Sequence, residues 1–311
     1  MLEAMSADER TPAERIHTRA ATSNNDNGSE HLRMIDPVAA PDVTTHFKRI
    51  GDVFLAEARR ETMTIGRTPL LMVHGAFHGW WAYKRWLGLF AALGFPSYAL
   101  SLRGHEGAAP LETAQFCATG MSDYADDVQS ALEAIGAPVV LIGHSLGGLV
   151  AQMVAARASA VRALVLVGSA GPAGLGATRD YVWPEDTPLL LPPERMRRSM
   201  FHEIDDGDFA AVYGRLVPES PRALNEAGLA GVDIGRDQIK APVLVIGTQY
   251  DGIGLHKSDA IASYYGADLV DVPGTSHDCL LEDAGLDAAH EILRWLLARG
   301  LDRSQDAPNN K

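Results

Sequence analysis

The stretch Pro138-Val139-Val140-Leu141-Ile142-Gly143-His144-Ser145-Leu146-Gly147-Gly148 decides the fold. Its first half is a wholly apolar run rich in β-branched residues and too short for a helix, so it reads as a buried strand. It passes directly into Gly143-x-Ser145-x-Gly147, and residues 146–157 are then apolar nearly all round, the pattern of a buried helix. Strand, tight turn and helix in that order form the setting of a nucleophile elbow, in which a serine hydroxyl is lifted clear of the backbone around it. The flanking glycines permit the sharp turn because they carry no Cβ to clash. The five-residue pattern alone recurs by chance, so the rest of the chain has to supply a base, an acid and an oxyanion hole.

Outward from the elbow the pattern repeats. Apolar runs at Leu70–Val73, Ser97–Leu102, Val161–Val167, Val243–Gly247 and Asp268–Val272 read as strands. Helical stretches lie between them: about Trp81–Leu93, a helix to Ile135 with Ser122 as its N-cap and Gly136 closing it, and an amphipathic helix from about Leu286 to Arg299. Asp126 and Asp127 fall on one face of the middle helix and read as solvated. Strand fragments between His46 and Ile65 suggest an edge hairpin. Strands alternating with helices predict an α/β protein with a doubly wound, mostly parallel sheet.

Two regions break the alternation. Residues 1–45 contain the polar run Thr22-Ser23-Asn24-Asn25-Asp26-Asn27-Gly28-Ser29 and read as a disordered or loosely attached extension, with Met34 as an alternative start. Residues 173–239, rich in Pro, Arg, Asp and Met, are far longer than an ordinary connection between strands and predict a helical lid inserted before the penultimate strand. The expected organisation is a core over 46–172 and 240–300, the lid over 173–239, and a polar tail over 301–311.

The 311 residues, 46% hydrophobic and 22% charged, suffice for a sizeable core. A net charge of −13 argues against a nucleic-acid or anionic-membrane surface and reads as solubility. Cys117 and Cys279 are the only cysteines, too few for a disulfide framework or zinc-ligand spacing. Residues 1–15 are charged without an apolar core, unlike a secretory signal. The expectation is a soluble, cytoplasmic protein with a small-molecule substrate, no nucleic acid, no membrane, no cofactor and no metal, its oligomeric state open.

Sheets of this class carry their chemistry in loops at the carboxyl ends of strands. Three such loops are suggestive here: the elbow presents Ser145, Thr248-Gln249-Tyr250-Asp251-Gly252 presents Asp251, and Pro273-Gly274-Thr275-Ser276-His277-Asp278 presents His277. Each has a plain alternative, as a turn serine, an Asx-turn aspartate with Asp278 as the substitute acid, or a structural histidine. His256 and His290 fit less well, since neither directly follows a strand.

On these motifs, and on His74-Gly75-Ala76-Phe77-His78-Gly79, the chain resembles α/β-hydrolases with a lid, and is similar over about residues 47–300 to methylesterases, hydroxynitrile lyases and related bacterial esterases. Ser101-Leu102-Arg103-Gly104-His105-Glu106 departs from the Asp-x-Arg-Gly-His-Gly of many relatives, which bears on substrate fit more than on the chemistry. The resemblance implies Ser145 as nucleophile, His277 as base and Asp251 as its partner. The N–H groups of Ala76 and Leu146 would form the oxyanion hole, with His74 bracing that loop. Phe77, His78, His144, Trp183, Phe201 and Tyr213 are candidate substrate contacts. The implied activity is hydrolysis of a carboxylic ester of a small to medium, mainly hydrophobic molecule through an acyl-enzyme. The same site could serve lactone, amide or C–C hydrolysis or a hydroxynitrile lyase, and the same fold a non-catalytic receptor.

Overall fold

The strands found in the computed structural model, which describes residues 42–61 and 66–303, are β1 (Val43–Ile50), β2 (Val53–Arg60), β3 (Leu70–Val73), β4 (Ser97–Ser101), β5 (Val139–His144), β6 (Val161–Val167), β7 (Val243–Tyr250) and β8 (Asp268–Ser276). They form one sheet in the order β1-β2-β4-β3-β5-β6-β7-β8. β1 and β2 make an antiparallel hairpin at one edge and β2 runs antiparallel to β4. The remaining neighbours are all parallel. β3 and β5 are buried at every residue, as parallel strands covered by helices on both faces must be.

Chain order fixes where a site belongs. From β3 the chain steps outward to β4, then crosses back to β5 on the other side of β3 and continues outward to β8. The direction reverses between β3 and β5, so a crevice opens at their carboxyl ends. Those ends deliver His74-Gly75-Ala76 and Ser145.

The helices are α1 (Lys84–Ala92), α2 (Thr113–Cys117), α3 (Met121–Ile135), α4 (Ser145–Ala155), α5 (Pro193–Met200), α6 (Asp206–Tyr213), α7 (Pro221–Gly228), α8 (Ser258–Tyr265) and α9 (Ala284–Ala298). Three local expectations need correction. The helix expected from Trp81 begins as a 3-10 turn over Trp80–Tyr83 and becomes α-helical only at Lys84. The N-cap of α3 is Gly120 and not Ser122: the Asp123 carboxylate accepts the Gly120 N–H at 2.8 Å, and the helix starts two residues earlier than a serine cap would place it. Asp127 is not solvated. It is 2% exposed and takes the Arg103 backbone N–H at 2.9 Å and its guanidinium at 2.6 Å, whereas Asp126 does face solvent, beside Arg157.

β1 begins at Val43, inside the span read as an extension, and residues 1–41 of that span lie outside the described residues. At the other end Asp302 accepts the Thr68 N–H and pairs with Arg67, so the expected tail starts with a segment fastened to the sheet; residues 304–311 lie outside the described ones. Between β6 and β7 sits the expected insertion, built from a 3-10 turn at Ala173–Leu175 and α5, α6 and α7. Its buried side chains, among them Met196, Val212 and Ala223, join the same apolar core as the sheet.

Candidate active site

The turn from β5 into α4 is made by close approaches that only glycine allows. A Cβ on Gly147 would lie 2.1 Å from the His74 carbonyl oxygen, and one on Gly143 2.5 Å from that of Gly147. Gly148 meets the Ser169 hydroxyl at 2.1 Å in the same way. α4 therefore starts directly at the strand end. Ser145 is left at φ +54°, a left-handed conformation that costs a non-glycine residue about 1–2 kcal/mol. Such strain persists where the surrounding fold over-determines it.

The serine hydroxyl meets an imidazole. His277 Nε2 is 2.9 Å from Ser145 Oγ, and His277 Nδ1 is 2.7 Å from Asp251 Oδ2. A carboxylate can only accept, so Nδ1 carries the proton and the Nε2 lone pair faces the hydroxyl. Asp251 is oriented in turn by the Ile253 N–H, 2.9 Å from Oδ1. Burial disfavours the charged imidazole, but the Asp251 charge and hydrogen bond outweigh it and raise His277 above its ordinary 6.5. Burial likewise opposes ionisation of Asp251, and the pairing with His277 outweighs it and lowers that carboxyl.

Asp278, the other acid adjacent in sequence, turns away from this line. Its Oδ2 lies 3.2 Å from His78 Nε2, both side chains 2% exposed. His78 Nδ1 donates to the Ala76 carbonyl at 2.7 Å. His144 is buried and donates its Nε2–H to the His277 carbonyl at 2.8 Å. Burial first, and then the neighbouring His277, drives its pKa down to about 3, so the ring is neutral.

Gly75 brings the His74–Gly79 loop against the elbow: a Cβ there would sit 2.8 Å from Ser145 Cβ and 2.9 Å from His144 Nδ1. His74 is committed to backbone, with Nδ1–H on the Gly75 carbonyl at 2.8 Å and Nε2 accepting the Leu102 N–H at 3.1 Å. Ala76 and Leu146, both buried, occupy the loop and the first turn of α4. First-turn N–H groups have no acceptor within their own helix, and the helix dipole favours negative charge there.

The remaining candidates are more scattered. Phe77 is buried at φ +72°, its backbone bonded to Glu219 and Val217 of the insertion. Phe201 is buried and lines a surface groove of about 820 Å³ with Arg197, Arg198 and His202, a groove whose walls do not include Ser145, Asp251 or His277. The Tyr213 hydroxyl donates to the Leu191 carbonyl at 3.0 Å within the insertion. Trp183 packs beside Tyr181, with the Arg179 and Arg195 guanidinium groups over its ring. His256 accepts the Gly171 N–H and bonds the Gly176 carbonyl, fastening the start of the insertion.

Sequence reasoning did not single out the groups that tie the insertion to these loops. The end of α5 supplies carbonyls to both acid and base loops: Ser199 accepts the Gly252 N–H at 3.2 Å, and Met200 accepts the Asp278 N–H at 2.9 Å and the Ser276 hydroxyl at 2.7 Å. Ser276 is also bound through its N–H and hydroxyl by Glu282. Glu219, fully buried, gathers three further segments through Phe77, His105 and Tyr124. Apart from Ser276, which lies in the loop that presents His277, none of these belongs to a motif or to an apolar period, the two signals a sequence offers. Among the described residues no group of three or more His, Cys, Asp or Glu is arranged to hold a metal ion, and no helix is long and apolar enough to cross a membrane.

Comparison with known proteins supports the architecture. A sequence profile of the alpha/beta hydrolase family matches residues 70–292. A search of curated protein sequences finds no match. Among solved structures, the methylesterase MES16 from Arabidopsis superposes with a TM-score of 0.62 at 20% identity, covering 74% of this chain and 99% of that one. The carboxylesterase CesB from Bacillus subtilis gives 0.59 at 16% identity, covering 86% and 95%. The N-acyl homoserine lactonase AidH complexed with N-butanoyl homoserine gives 0.59 at 18% identity, covering 81% and 96%. At such identities these likenesses show the fold. The profile match spans most of the chain, and the chain belongs to the alpha/beta hydrolase family of enzymes.

Proposed function

We propose that this alpha/beta hydrolase cleaves a carboxylic ester of a small to medium, mainly hydrophobic molecule through an acyl-enzyme on Ser145. The observation that carries the reading is the unbroken line of hydrogen bonds from Ser145 Oγ through His277 to Asp251, at 2.9 and 2.7 Å. A serine hydroxyl is a weak nucleophile until a base takes its proton. His277 Nε2 takes it as Oγ attacks the ester carbonyl, and later delivers it to the leaving alcohol. Asp251 stays ionised, fixes the tautomer and stabilises the imidazolium. The tetrahedral oxyanion is received by the Ala76 and Leu146 N–H groups, each worth about 3–4 kcal/mol at the transition state. Water, activated by the same His277, then releases the acid.

The insertion acts in this reading as a lid, because α5 is hydrogen-bonded to the loops of both Asp251 and His277. The buried, apolar surroundings of Ser145 (Ala76, Phe77, Leu146) favour a compact apolar acyl group over a polymer. The two cysteines, both buried and unpaired, suit a reducing compartment and support the expectation of a cytoplasmic enzyme.

The test is labelling with a fluorophosphonate probe, mapped by mass spectrometry. A stoichiometric adduct on Ser145 is expected, absent from Ser145→Ala, whose kcat on any ester turned over should fall by roughly 10⁶. A folded wild-type protein that takes no label sinks the acyl-enzyme reading.

A further inference from the structure

We propose that Glu219, with His105, is the positioning residue of the oxyanion loop: this buried charge pair fixes the Ala76–Phe77 peptide and through it the Ala76 N–H. The inference rests on the acyl-enzyme reading and assigns that reaction a residue on the insertion.

Glu219 is fully buried, and a carboxylate so placed persists only when paired and hydrogen-bonded. Its carboxylate takes four donors, one from the next residue and three from other parts of the chain. Oε1 takes the Tyr124 hydroxyl of α3 at 2.5 Å and the Ser220 N–H at 2.7 Å. Oε2 takes His105 Nε2, from the loop after β4, at 3.1 Å and the Phe77 N–H at 3.4 Å. The His105 Nδ1–H is held by the Arg103 carbonyl at 3.0 Å. The Glu219 backbone is locked to Leu189 by hydrogen bonds of 2.8 and 2.9 Å.

Phe77 is the reason a grip is needed. At φ +72° it holds a conformation that bulky L-residues rarely adopt, and a loop freed of its contacts relaxes from it. The insertion grips both sides of this residue: Glu219 takes the N–H, and the Val217 N–H donates to the carbonyl at 2.9 Å. The Ala76 carbonyl, on the same peptide as the Phe77 N–H, is fixed by His78. With that peptide held at both ends, the preceding Ala76 N–H has one orientation. Burial opposes charge on both partners, yet their mutual attraction raises His105 and lowers Glu219. With Nδ1–H on the Arg103 carbonyl and Nε2–H on Glu219, the His105 imidazolium offsets the carboxylate charge beside the oxyanion loop.

The experiment compares kcat and KM on a p-nitrophenyl ester with the Ki of phenylboronic acid, which forms a tetrahedral adduct on an activated serine. Glu219→Gln leaves one acceptor atom for four donors and strands His105. It should lower kcat at least tenfold with KM within twofold, and raise the boronate Ki by a similar factor. Arg215→Gln breaks the neighbouring Arg215–Glu106 pair and should change none of the three. Thermal unfolding checks each variant. If Glu219→Gln does not fold, Tyr124→Phe, which removes only one of the four donors, is read for the same pattern at smaller size. A folded variant with wild-type kcat, or with raised KM at unchanged kcat, overturns the role of Glu219 while wild-type activity leaves the acyl-enzyme reading standing. Wild-type protein that neither labels nor turns over removes both.

Discussion

Gly75 stands where a side chain has no room. A methyl group there meets Ser145 Cβ and His144 Nδ1 inside 3 Å, so Gly75→Ala must push the oxyanion loop or the serine aside. Displacements of about 1 Å cost roughly 10²-fold in rate. That loss is expected in kcat on an ester substrate, with circular dichroism unchanged; an undiminished kcat would show that the loop is not aligned against Ser145. Asp251 makes a second residue-scale prediction. The base works only when deprotonated, so kcat/KM should rise with pH through a midpoint above the ordinary 6.5, because Asp251 raises His277 against the opposing effect of burial. Asp251→Asn removes the main raising cause, leaving burial opposed only by the smaller effect of Asp278, so the limb moves to lower pH while kcat falls by about 10⁴. A pH–rate profile in which the limb stays put removes Asp251 from the proposed role. Ser145, Asp251 and His277 were legible because each follows an apolar run that had to be a strand. What sequence left open was which of Asp251 and Asp278 faces the imidazole. The neighbour in sequence is turned to His78, an orientation set by loop packing and not by spacing.

At the scale of elements, the legible parts were those with a long period, and the illegible ones were decided by single contacts. β6 could be read to the residue and β5 to within two from their apolar runs, whereas the start of α3 depended on whether Asp123 reached Gly120 or Ser122 served as cap. The insertion has no period to read. Its attachment rests on carbonyls at the end of α5, and Ser276 is the clearest of these ties: its buried hydroxyl lies 2.7 Å from the Met200 carbonyl and 2.5 Å from Glu282 Oε1. Ser276→Ala leaves buried polar atoms unsatisfied, which typically costs about 1–3 kcal/mol. Urea unfolding should show that loss, and limited proteolysis should cut sooner near residue 200. A variant as stable and as resistant as wild type would mean that α5 is not held to the His277 loop through this hydroxyl.

Over the whole molecule, the same burial that builds the site makes stability depend on pH, and the sign differs between histidines. His105 and His277 are raised: the stability they contribute is fully present below 6.5 and is lost as pH rises through their folded values. Glu219, Asp251 and Asp278 are lowered, so their contribution is present at neutral pH and lost on acidification through the carboxylate range. His144 behaves in the second manner although it is a base. Folded, its ring stays neutral down to about 3, while in the unfolded chain it takes a proton near 6.5. Acidification from pH 7.5 to pH 5 therefore favours the unfolded chain by about 2 kcal/mol through this residue alone. His74, also lowered well below 6.5 by burial, adds to it with the same sign. His144→Gln keeps an N–H donor for the His277 carbonyl and removes the titrating ring. Its stability should fall less steeply over that interval, the gap between wild type and variant narrowing by about 2 kcal/mol. Urea unfolding at pH 7.5, 6 and 5 measures this directly. Parallel profiles would mean that the His144 ring gains its proton as easily folded as unfolded, and that the elbow is open to water where the structure packs it shut.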